Sequence, residues 1–325
     1  MTVMCMDMTY EFIINHGGKL QMPLVESGIT WSTERKGRAG RLQFSVVNDG
    51  KIAIEEGDAV RFKANGANIF YGFVFSLDRS KDGIIGVTAY DQIIYLTKNK
   101  DTFQYSGKTA TQVISMLAND FQLKCGTMES TGYTIESRIE DNQTLYDMIQ
   151  NALDITLTNT GNIYVLYDDF GKLALKSLGS MKVSLLIDDE TAENFNYQTS
   201  IEGSYNKIKL AYDNQSAGKR ELYISQDGSN MNKWGTLQYF ESLSSNTGAK
   251  AKADALLKLY NNRNTSLTIR RAFGDTKVRA GSLVMVQLDI GDTVVKSYLM
   301  VEACTHRFGE SEHWMDLVLT GGSLK

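Results

Sequence analysis

The chain repeats one strand pattern near each of its two ends. In both copies an alternating run of apolar and polar residues is followed by a glycine and then by a valine-containing run. Gly57 lies 15 positions after Leu42 in the first copy, and Gly281 lies 14 positions after Leu267 in the second. The four runs of each copy are residues 42–46, 56–62, 69–74 and 85–90, and residues 267–269, 279–286, 297–301 and 315–319.

Alternation with a period of two predicts strands that are half buried against a core, and a glycine before each valine run indicates a tight turn. We therefore predict two similar small antiparallel β-barrels on one polypeptide. Such a duplication favours a chain that builds a ring, which is a matter of architecture rather than of chemistry.

Composition excludes several classes of protein. The chain has 325 residues, of which 42% are hydrophobic and 22% charged, as is typical of globular domains. No run approaches the roughly 18 apolar residues that span a bilayer, so we expect no membrane insertion. A net charge of -4 without a basic cluster argues against a specific nucleic-acid surface.

The two ends of the chain and its few special residues complete this picture. Residues 1–8 lack a basic segment followed by an apolar one, so a secretion signal is not expected. The three cysteines, Cys5, Cys125 and Cys304, are far apart and odd in number, which suits synthesis in a reducing cytoplasm. The single proline, Pro23, indicates domains joined by short turns rather than by proline-rich linkers.

The predicted fold is mainly β (α+β). We expect a first β-barrel domain over residues 1–96, a small α/β insert over 97–199, and a second β-barrel domain over 200–325. Within the insert, apolar residues at helical spacing predict helices beginning at Thr109 and near Gln143. A hairpin is predicted over 162–175, and one connecting helix over about 249–262.

Gly107, Lys108 and Thr109 invite comparison with a phosphate-binding loop. Such a loop needs a further glycine at the position of Thr102, after a buried strand, and neither is present. The segment fits a capping box better, with Thr109 as N-cap and Gln112 three residues later. No dinucleotide-binding glycine pattern occurs either, so no cofactor is expected.

The possible metal ligands form one small cluster in sequence. Cys304 and His306 are two residues apart on a predicted strand and would share a face, with His313 nearby. Three ligands without the usual spacing are weak support for a metal site, and a partly exposed histidine near a hairpin turn is the favoured interpretation. His16 lies beside a predicted turn at Gly17, with no nucleophile indicated near it.

Adjacent carboxylates raise the question of hydrolysis. Asp168 and Asp169 precede Phe170-Gly171, and the run 188–190 contains two aspartates and a glutamate. A glycosidase needs two carboxyl groups facing across a cleft, one of them with a raised pKa. Acidic residues in turns more often support the local backbone, so no catalytic residue is assigned.

Four segments carry a resemblance that extends over essentially the whole chain. Their order and spacing, rather than any single motif, resemble the tail-hub proteins of contractile phage tails and tailocins. That group includes the PBSX-prophage type and the late-control-protein-D group. The segments are Tyr90-Asp91-Gln92-Ile93-Ile94-Tyr95-Leu96, Gly107-Lys108-Thr109-Ala110, residues 164–173, and residues 200–208.

The resemblance implies a non-enzymatic structural protein of the tail baseplate. It implies a homotrimer in which two barrels from each subunit form a six-barrel ring. That ring would adapt the six-fold tail tube, or its initiator protein, to the three-fold central spike, and baseplate wedge proteins would surround it. The protein would be assembled in the bacterial cytoplasm into a virion or a tailocin particle.

Two alternatives remain open at this point. Some members of the resembled group carry lytic domains or are described as hydrolases, although this chain ends at Lys325, directly after the predicted second barrel. A peptidoglycan hydrolase is therefore one alternative. A carbohydrate-binding tail module is another, and the 16 tyrosines could contribute to an aromatic platform for it.

Overall fold

The computed structural model describes residues 8–26, 28–243, 245–291 and 294–321. Residues 1–7, which include Cys5 and most of the N-terminal segment that was expected to lack a secretion signal, lie outside the described residues. The N-terminal part consists of strands separated by short turns. These strands are β1 (Tyr10–His16), β2 (Lys19–Gln21), β3 (Ile29–Glu34), β4 (Arg41–Val47), β5 (Ala59–Ala64), β6 (Ala67–Arg79) and β7 (Ile84–Tyr90).

The insert that follows is mixed α/β and has its own apolar core. Thr109 is the N-cap of helix α2. Its side chain accepts a hydrogen bond from the Gln112 N–H, and the Gln112 side chain accepts one from the Thr109 N–H. The predicted capping box is therefore confirmed. The elements are α1 (Ile93–Lys98), β8 (Lys100–Thr109), α2 (Ala110–Asp120), β9 (Cys125–Met128), β10 (Thr134–Thr144), α3 (Leu145–Thr160), β11 (Tyr164–Asp168) and β12 (Leu173–Ser177).

Two further strands lead from the insert into a second small α/β unit. Strands β13 and β14 fall within the predicted insert, yet they pair with strands of the largest sheet. The α/β unit after them packs one helix, α5, against a three-stranded sheet. The elements are β13 (Lys182–Asp188), β14 (Ala192–Ser200), β15 (Lys207–Asn214), β16 (Lys219–Gln226), α4 (Gly228–Trp234), β17 (Gln238–Leu243) and α5 (Ala249–Tyr260).

The C-terminal strands complete the second copy of the pattern. They are β18 (Asn264–Phe273), β19 (Leu283–Asp289), β20 (Val294–Phe308) and β21 (His313–Gly321). All four runs of each predicted copy lie in or immediately before these strands and β4–β7. None of the helices in the described ranges has the length and apolar character needed to span a bilayer.

The two copies have the same strand order. In the first strand set the order is β3-β4-β7-β6-β5-β1, and in the second strand set it is β14-β18-β21-β20-β19-β13. The outermost pairing differs in direction, since β1 is antiparallel to β5 whereas β13 is parallel to β19. The duplication predicted from the sequence is therefore one of topology, with a divergence at one end.

Each strand set has its own apolar core, formed by residues at matching places in the ladders. The side chains that alternate along the strands are buried in both sets, as the period of two predicts. In the first set they include Leu42, Val60, Val74, Val87 and Ala89, and in the second Leu267, Val284, Val301, Leu317 and Leu319.

The sets do not form two separate barrels. Strand β20 pairs with β3, so both sets belong to one 13-stranded sheet, and no pairing among the described residues closes either set into a barrel. The physical reason is the length of β20. Residues 294–300 pair with β19, and residues 303–308 extend beyond β19 and take β3 as their partner instead.

Candidate assembly interface

Each strand set contains the same kind of turn, built around Gly57 in the first set and around Gly281 in the second. The Gly57 N–H donates to the Val74 carbonyl (2.8 Å), and the Gly281 N–H donates to the Val301 carbonyl (2.7 Å). Both glycines have a positive φ, +95° and +90°, which only glycine adopts without strain. Gly57 is therefore equivalent to Gly281, and Val74 to Val301.

The residue after each glycine fixes the turn in the same way. An Asp58 carboxylate oxygen accepts a hydrogen bond from the Glu55 N–H (2.9 Å), and the Ser282 hydroxyl accepts one from the Arg279 N–H (3.1 Å). Asp58 and Ser282 are thus interchangeable in this role. A carboxylate at this turn therefore does not by itself indicate a catalytic or metal-binding residue.

A β-bulge lies at the same place in both sets. The register of β6 against β7 shifts between Val74 and Ser76, and that of β20 against β21 shifts between Val301 and Ala303. A bulge bends its strand and increases the local twist. In both sets the long strand therefore turns away at the point where its first partner ends.

Beyond the bulge, β20 binds β3 through backbone and side-chain contacts. The Ser32 and Thr305 hydroxyls lie 3.1 Å apart, and the Arg35 N–H donates to the Glu302 carbonyl (2.9 Å). The Arg35 guanidinium also forms a bidentate ion pair with the Glu302 carboxylate. We call this contact between β20 and β3 the internal seam.

The corresponding half of β6 has no second partner strand in the structure. Residues 75–79 pair with β7 on one side, and none of the described strands pairs with them on the other. Phe75 is 38% exposed there, and Ser76, Asp78 and Arg79 are exposed. At the far end of the sheet, β14 pairs with β18 alone among the described strands. We call residues 75–79 and β14 the two open edges.

A buried group of charges lies where the strand sets meet the insert. Asp91 accepts hydrogen bonds from the Gly40 and Ile93 N–H groups (2.9 and 3.0 Å), and burial raises its pKa well above the usual range, with the nearby Asp168 adding to the shift. The Arg279 guanidinium donates to the Asp168 carbonyl (2.9 Å), and burial lowers the pKa of Arg279. These groups connect β7, β11 and the turn before β19.

Asp168 is buried beneath its hairpin rather than displayed at the tip. One carboxylate oxygen accepts a hydrogen bond from the Gly171 N–H (2.7 Å), and the other has no hydrogen-bond partner among the described residues. Burial raises the pKa of Asp168 to about 6. Its neighbour Asp169 is exposed, and Asp188 accepts hydrogen bonds from the Glu190 and Thr191 N–H groups within its own turn.

Cys304, His306 and His313 do come together, as their spacing predicts, but in the interior. Cys304 Sγ lies 3.1 Å from His306 Nε2, and His306 Nδ1 lies 2.8 Å from His313 Nε2. His306 Nε2 also lies 2.8 Å from the Val278 carbonyl, which makes it a donor and Nδ1 an acceptor. Burial lowers the pKa of His306 to about 3 and that of His313 to about 4.

The favoured interpretation, a partly exposed histidine near a hairpin turn, fits His313, which is half-buried at the start of β21, but not His306. His306 is fully buried because its ring stacks on Trp31 across the internal seam, with ring centroids 4.9 Å apart. Both imidazoles are neutral at physiological pH and are engaged in hydrogen bonds. The cluster therefore contributes to the packing of the internal seam.

His16 has partners that the sequence did not reveal. Its Nδ1 lies 3.0 Å from Asp58 and 3.9 Å from Glu55, so the three side chains form a group with the donor types of a metal site. The acidic partners lie in the run from Glu55 to Asp58, more than 35 residues from His16 in sequence, so no local pattern around His16 indicates them. Gly107 and Lys108 are among the last residues of β8, directly before Thr109, the N-cap of α2, as the capping interpretation predicts.

Comparison with known proteins identifies the chain's relatives. The YqbQ-like family model matches residues 29–320. The uncharacterized protein YqbQ of Bacillus subtilis is 33% identical over 270 residues, covering 82% of this chain and 81% of its own. The phage-like element PBSX protein XkdQ of the same organism is 32% identical over 271 residues, covering 82% of each chain.

Solved structures share the fold at low identity. The prophage MuSo2 43 kDa tail protein of Shewanella oneidensis is 14% identical, with a TM-score of 0.68 over 95% of this chain and 98% of that one. A tail protein of Neisseria meningitidis is 12% identical, with a TM-score of 0.71 over 96% of both. A type VI secretion component of E. coli is 14% identical, with a TM-score of 0.57 over 96% of this chain and 76% of that one.

These structures show that the fold is one found in prophage tail proteins. Family membership follows from the sequence relatives, whose identity exceeds 30% over most of both chains. The chain belongs to the YqbQ-like family.

Proposed function

We propose that this protein is the structural hub of a contractile tail baseplate. Three copies would form a ring in which each subunit contributes two equivalent stations, one from each strand set. The ring would present six similar surfaces to a hexameric tail tube and three-fold symmetry to a central spike.

The observation that carries this proposal is the duplicated strand set. The same strand order, glycine turn and bulge occur twice, so one chain offers two near-equivalent surfaces. A closed three-fold oligomer can match a six-fold partner only if each subunit supplies two such surfaces. A monomeric function gives no reason for a duplication that extends to individual hydrogen bonds.

The relatives add support of a different kind. One curated relative is named as a protein of the phage-like element PBSX, and similar structures include a prophage tail protein and a tail protein of Neisseria meningitidis. The similar E. coli protein is described as a type VI secretion component with structural similarity to the T4 tail proteins gp27 and gp5. These names place the fold among tails and related injection devices.

Native mass spectrometry and negative-stain imaging test the proposal. We expect a trimer, alone or on mixing with the tube and spike proteins of the same particle, and an annulus with a central hole. A chain that stays monomeric in the presence of both proteins would overturn the hub assignment.

A cell-wall hydrolase is the second candidate, because the raised pKa of Asp168 is a property of general acids. Asp168, however, is buried. The Arg279 guanidinium donates to its backbone carbonyl, and one of its carboxylate oxygens accepts a hydrogen bond from the Gly171 N–H. A turbidity assay on purified peptidoglycan separates the two functions. We expect no clearing, and clearing that is lost in Asp168→Asn would favour the hydrolase.

A further inference from the structure

We propose that the two open edges are the two halves of one subunit interface. In this interface residues 75–79 of β6 pair antiparallel with β14 of a second copy of this chain. This inference rests on the proposed ring, and it specifies which strands join its subunits and in which register.

The internal seam provides the template for this contact. There the half of β20 beyond the bulge pairs with β3, with Thr305 opposite Ser32 and Cys304 opposite Thr33. The half of β6 beyond its own bulge is in the same position relative to its set, but it faces solvent. An exposed strand edge with unpaired N–H and C=O groups is a ready template for another strand.

The register follows from residues that are equivalent in the two sets. Val74 matches Val301, so counting along each strand from the bulge matches Asp78 with Thr305. Trp31 pairs with Leu42 and Tyr197 pairs with Leu267, which are the equivalent positions of β4 and β18.

Tyr197 therefore matches Trp31, and Gln198 matches Ser32. Replacing each seam residue by its equivalent places Asp78 opposite Gln198. It also places Phe75, the equivalent of Glu302, opposite Ile201, which directly follows β14 and is the equivalent of Arg35.

The side chains at these positions are complementary in both interfaces. The internal seam joins Arg35 and Glu302, which are oppositely charged, whereas the proposed interface joins Phe75 and Ile201, which are both apolar. Phe75 is 38% exposed in the isolated chain, so a partner there would remove apolar surface from water.

The next positions agree as well. The hydroxyl pair of Ser32 and Thr305 is replaced by the polar pair of Gln198 and Asp78, in which the Gln198 amide can donate to the carboxylate. Each interface thus has a complementary pair of side chains at these two matching places.

The partner must be a second copy rather than the same chain. Six strands, β18, β21, β20, β3, β4 and β7, lie between β14 and β6 in the sheet. Two different edges of one subunit that fit each other make a head-to-tail contact, and such contacts generate a ring when the rotation closes. In a trimer, three internal seams would then alternate with three interfaces between subunits.

Disulfide cross-linking tests the register directly. The Arg35 N–H bonds to the Glu302 carbonyl, so the alternation of an antiparallel ladder makes Ser32–Thr305 a pair without mutual backbone hydrogen bonds. Its equivalent, Asp78–Gln198, would have Cα atoms about 4.5 Å apart, which is within disulfide range. We expect the double variant Asp78→Cys/Gln198→Cys, with Cys5 and Cys125 changed to Ser, to oxidise to covalent dimers and trimers.

Two controls accompany this variant. Ser32→Cys/Thr305→Cys should form its disulfide within one chain, which shows that the oxidation conditions suit this geometry. Asp78→Cys/Tyr197→Cys shifts the register by one residue and places the thiols on opposite faces, so it should not cross-link. Equal cross-linking of the shifted pair would overturn the register.

A backbone variant gives an independent readout. In the proposed register the Thr199 N–H points toward the partner strand, whereas that of Gln198 points toward β18. A proline is tolerated in an edge strand where its nitrogen faces outward. We therefore expect Thr199→Pro to fold normally and to lose the trimer, and Gln198→Pro to be destabilised instead.

The outcomes separate this inference from the proposed function. A trimer in native mass spectrometry without the Asp78–Gln198 cross-link, while the internal control forms, would overturn the interface and leave the hub intact. A trimer that persists in Thr199→Pro would do the same. Absence of any oligomer with the tube and spike proteins would overturn both.

Discussion

Arg35 and Glu302 form a bidentate ion pair across the internal seam, with Nε 2.7 Å from Oε2 and Nη2 2.9 Å from Oε1. The two residues are far apart in sequence, and their backbones also hydrogen-bond. This contact helps to hold the first strand set against the second. It connects the two stations that one subunit would contribute to a ring.

Removing this ion pair should weaken the seam. In Glu302→Ala the Arg35 guanidinium, whose side chain is 16% exposed, loses both acceptors, so we expect a loss of about 1–2 kcal/mol in the free energy of unfolding. Urea denaturation measures it. Asp213→Ala breaks an equally bidentate pair with Arg220 that is exposed, and its effect should be clearly smaller. Equal effects would mean that the seam ion pair contributes no more than a surface pair.

The two equivalent glycines should differ in their tolerance of alanine. Gly57→Ala meets no atom within 4 Å, so only the positive φ is unfavourable, at about 1–2 kcal/mol. Gly281→Ala has the same strain, and its Cβ would also lie 2.5 Å from Val165 Cγ1. We therefore expect Gly281→Ala to be more destabilising by at least about 1 kcal/mol in thermal unfolding. Equal losses would show that the contact with β11 relaxes without cost.

The buried histidines should make stability depend on pH. Both have folded-state pKa values, about 3 for His306 and about 4 for His313, below the unfolded value of roughly 6.5. The stability that they contribute is present above the unfolded pKa and is lost as the pH falls from there to the folded-state values of about 4 and about 3, because the unfolded chain binds the protons first.

His313→Gln tests this dependence, since glutamine can still donate to His306 Nδ1. With one titrating group fewer, the stability of the variant should fall less steeply with acid, by up to about 1.4 kcal/mol per pH unit between pH 6 and 4. Thr109→Ala serves as the control, because it should shift the whole curve by a constant amount. Parallel curves for His313→Gln and the unmodified protein would contradict the prediction.

The capping box at α2 should contribute to stability and not to nucleotide binding. Thr109→Ala removes the hydroxyl that accepts from the Gln112 N–H (3.3 Å), and we expect a loss of about 1 kcal/mol. Thr109→Ser keeps the acceptor and should recover most of it. Nucleotide-dependent stabilisation in a thermal shift assay that is lost in Lys108→Ala would instead favour the phosphate-loop interpretation.

Local patterns predicted the elements of this protein well. The alternation around Leu42 and Leu267 predicted strands, the Thr109–Gln112 spacing predicted a helix start, and apolar spacing predicted the helix that the structure gives as Ala249–Tyr260. In each case the determining interactions lie within a few residues. Short-range periodicity and capping are therefore sufficient to identify them.

The environments of the candidate residues could not be predicted in this way. Nothing near Asp168 in sequence shows that Arg279 covers it, and nothing near His306 shows that Trp31 stacks on it. His16 and Asp58 meet because β1 lies beside β5. The contacts named here all involve partners that are 40 or more residues away.

The sequence by itself determined that one strand pattern occurs twice and where its strands and helices begin. Tertiary structure alone decided how the copies are joined, with β3 added to the far half of β20 so that two expected barrels became one sheet. The physical reason is that alternation specifies which face of a strand is buried but not which strand lies beside it. The pairing of an edge depends on long-range geometry, here on the length of β20 beyond its bulge and on the chemistry of the residues that meet there.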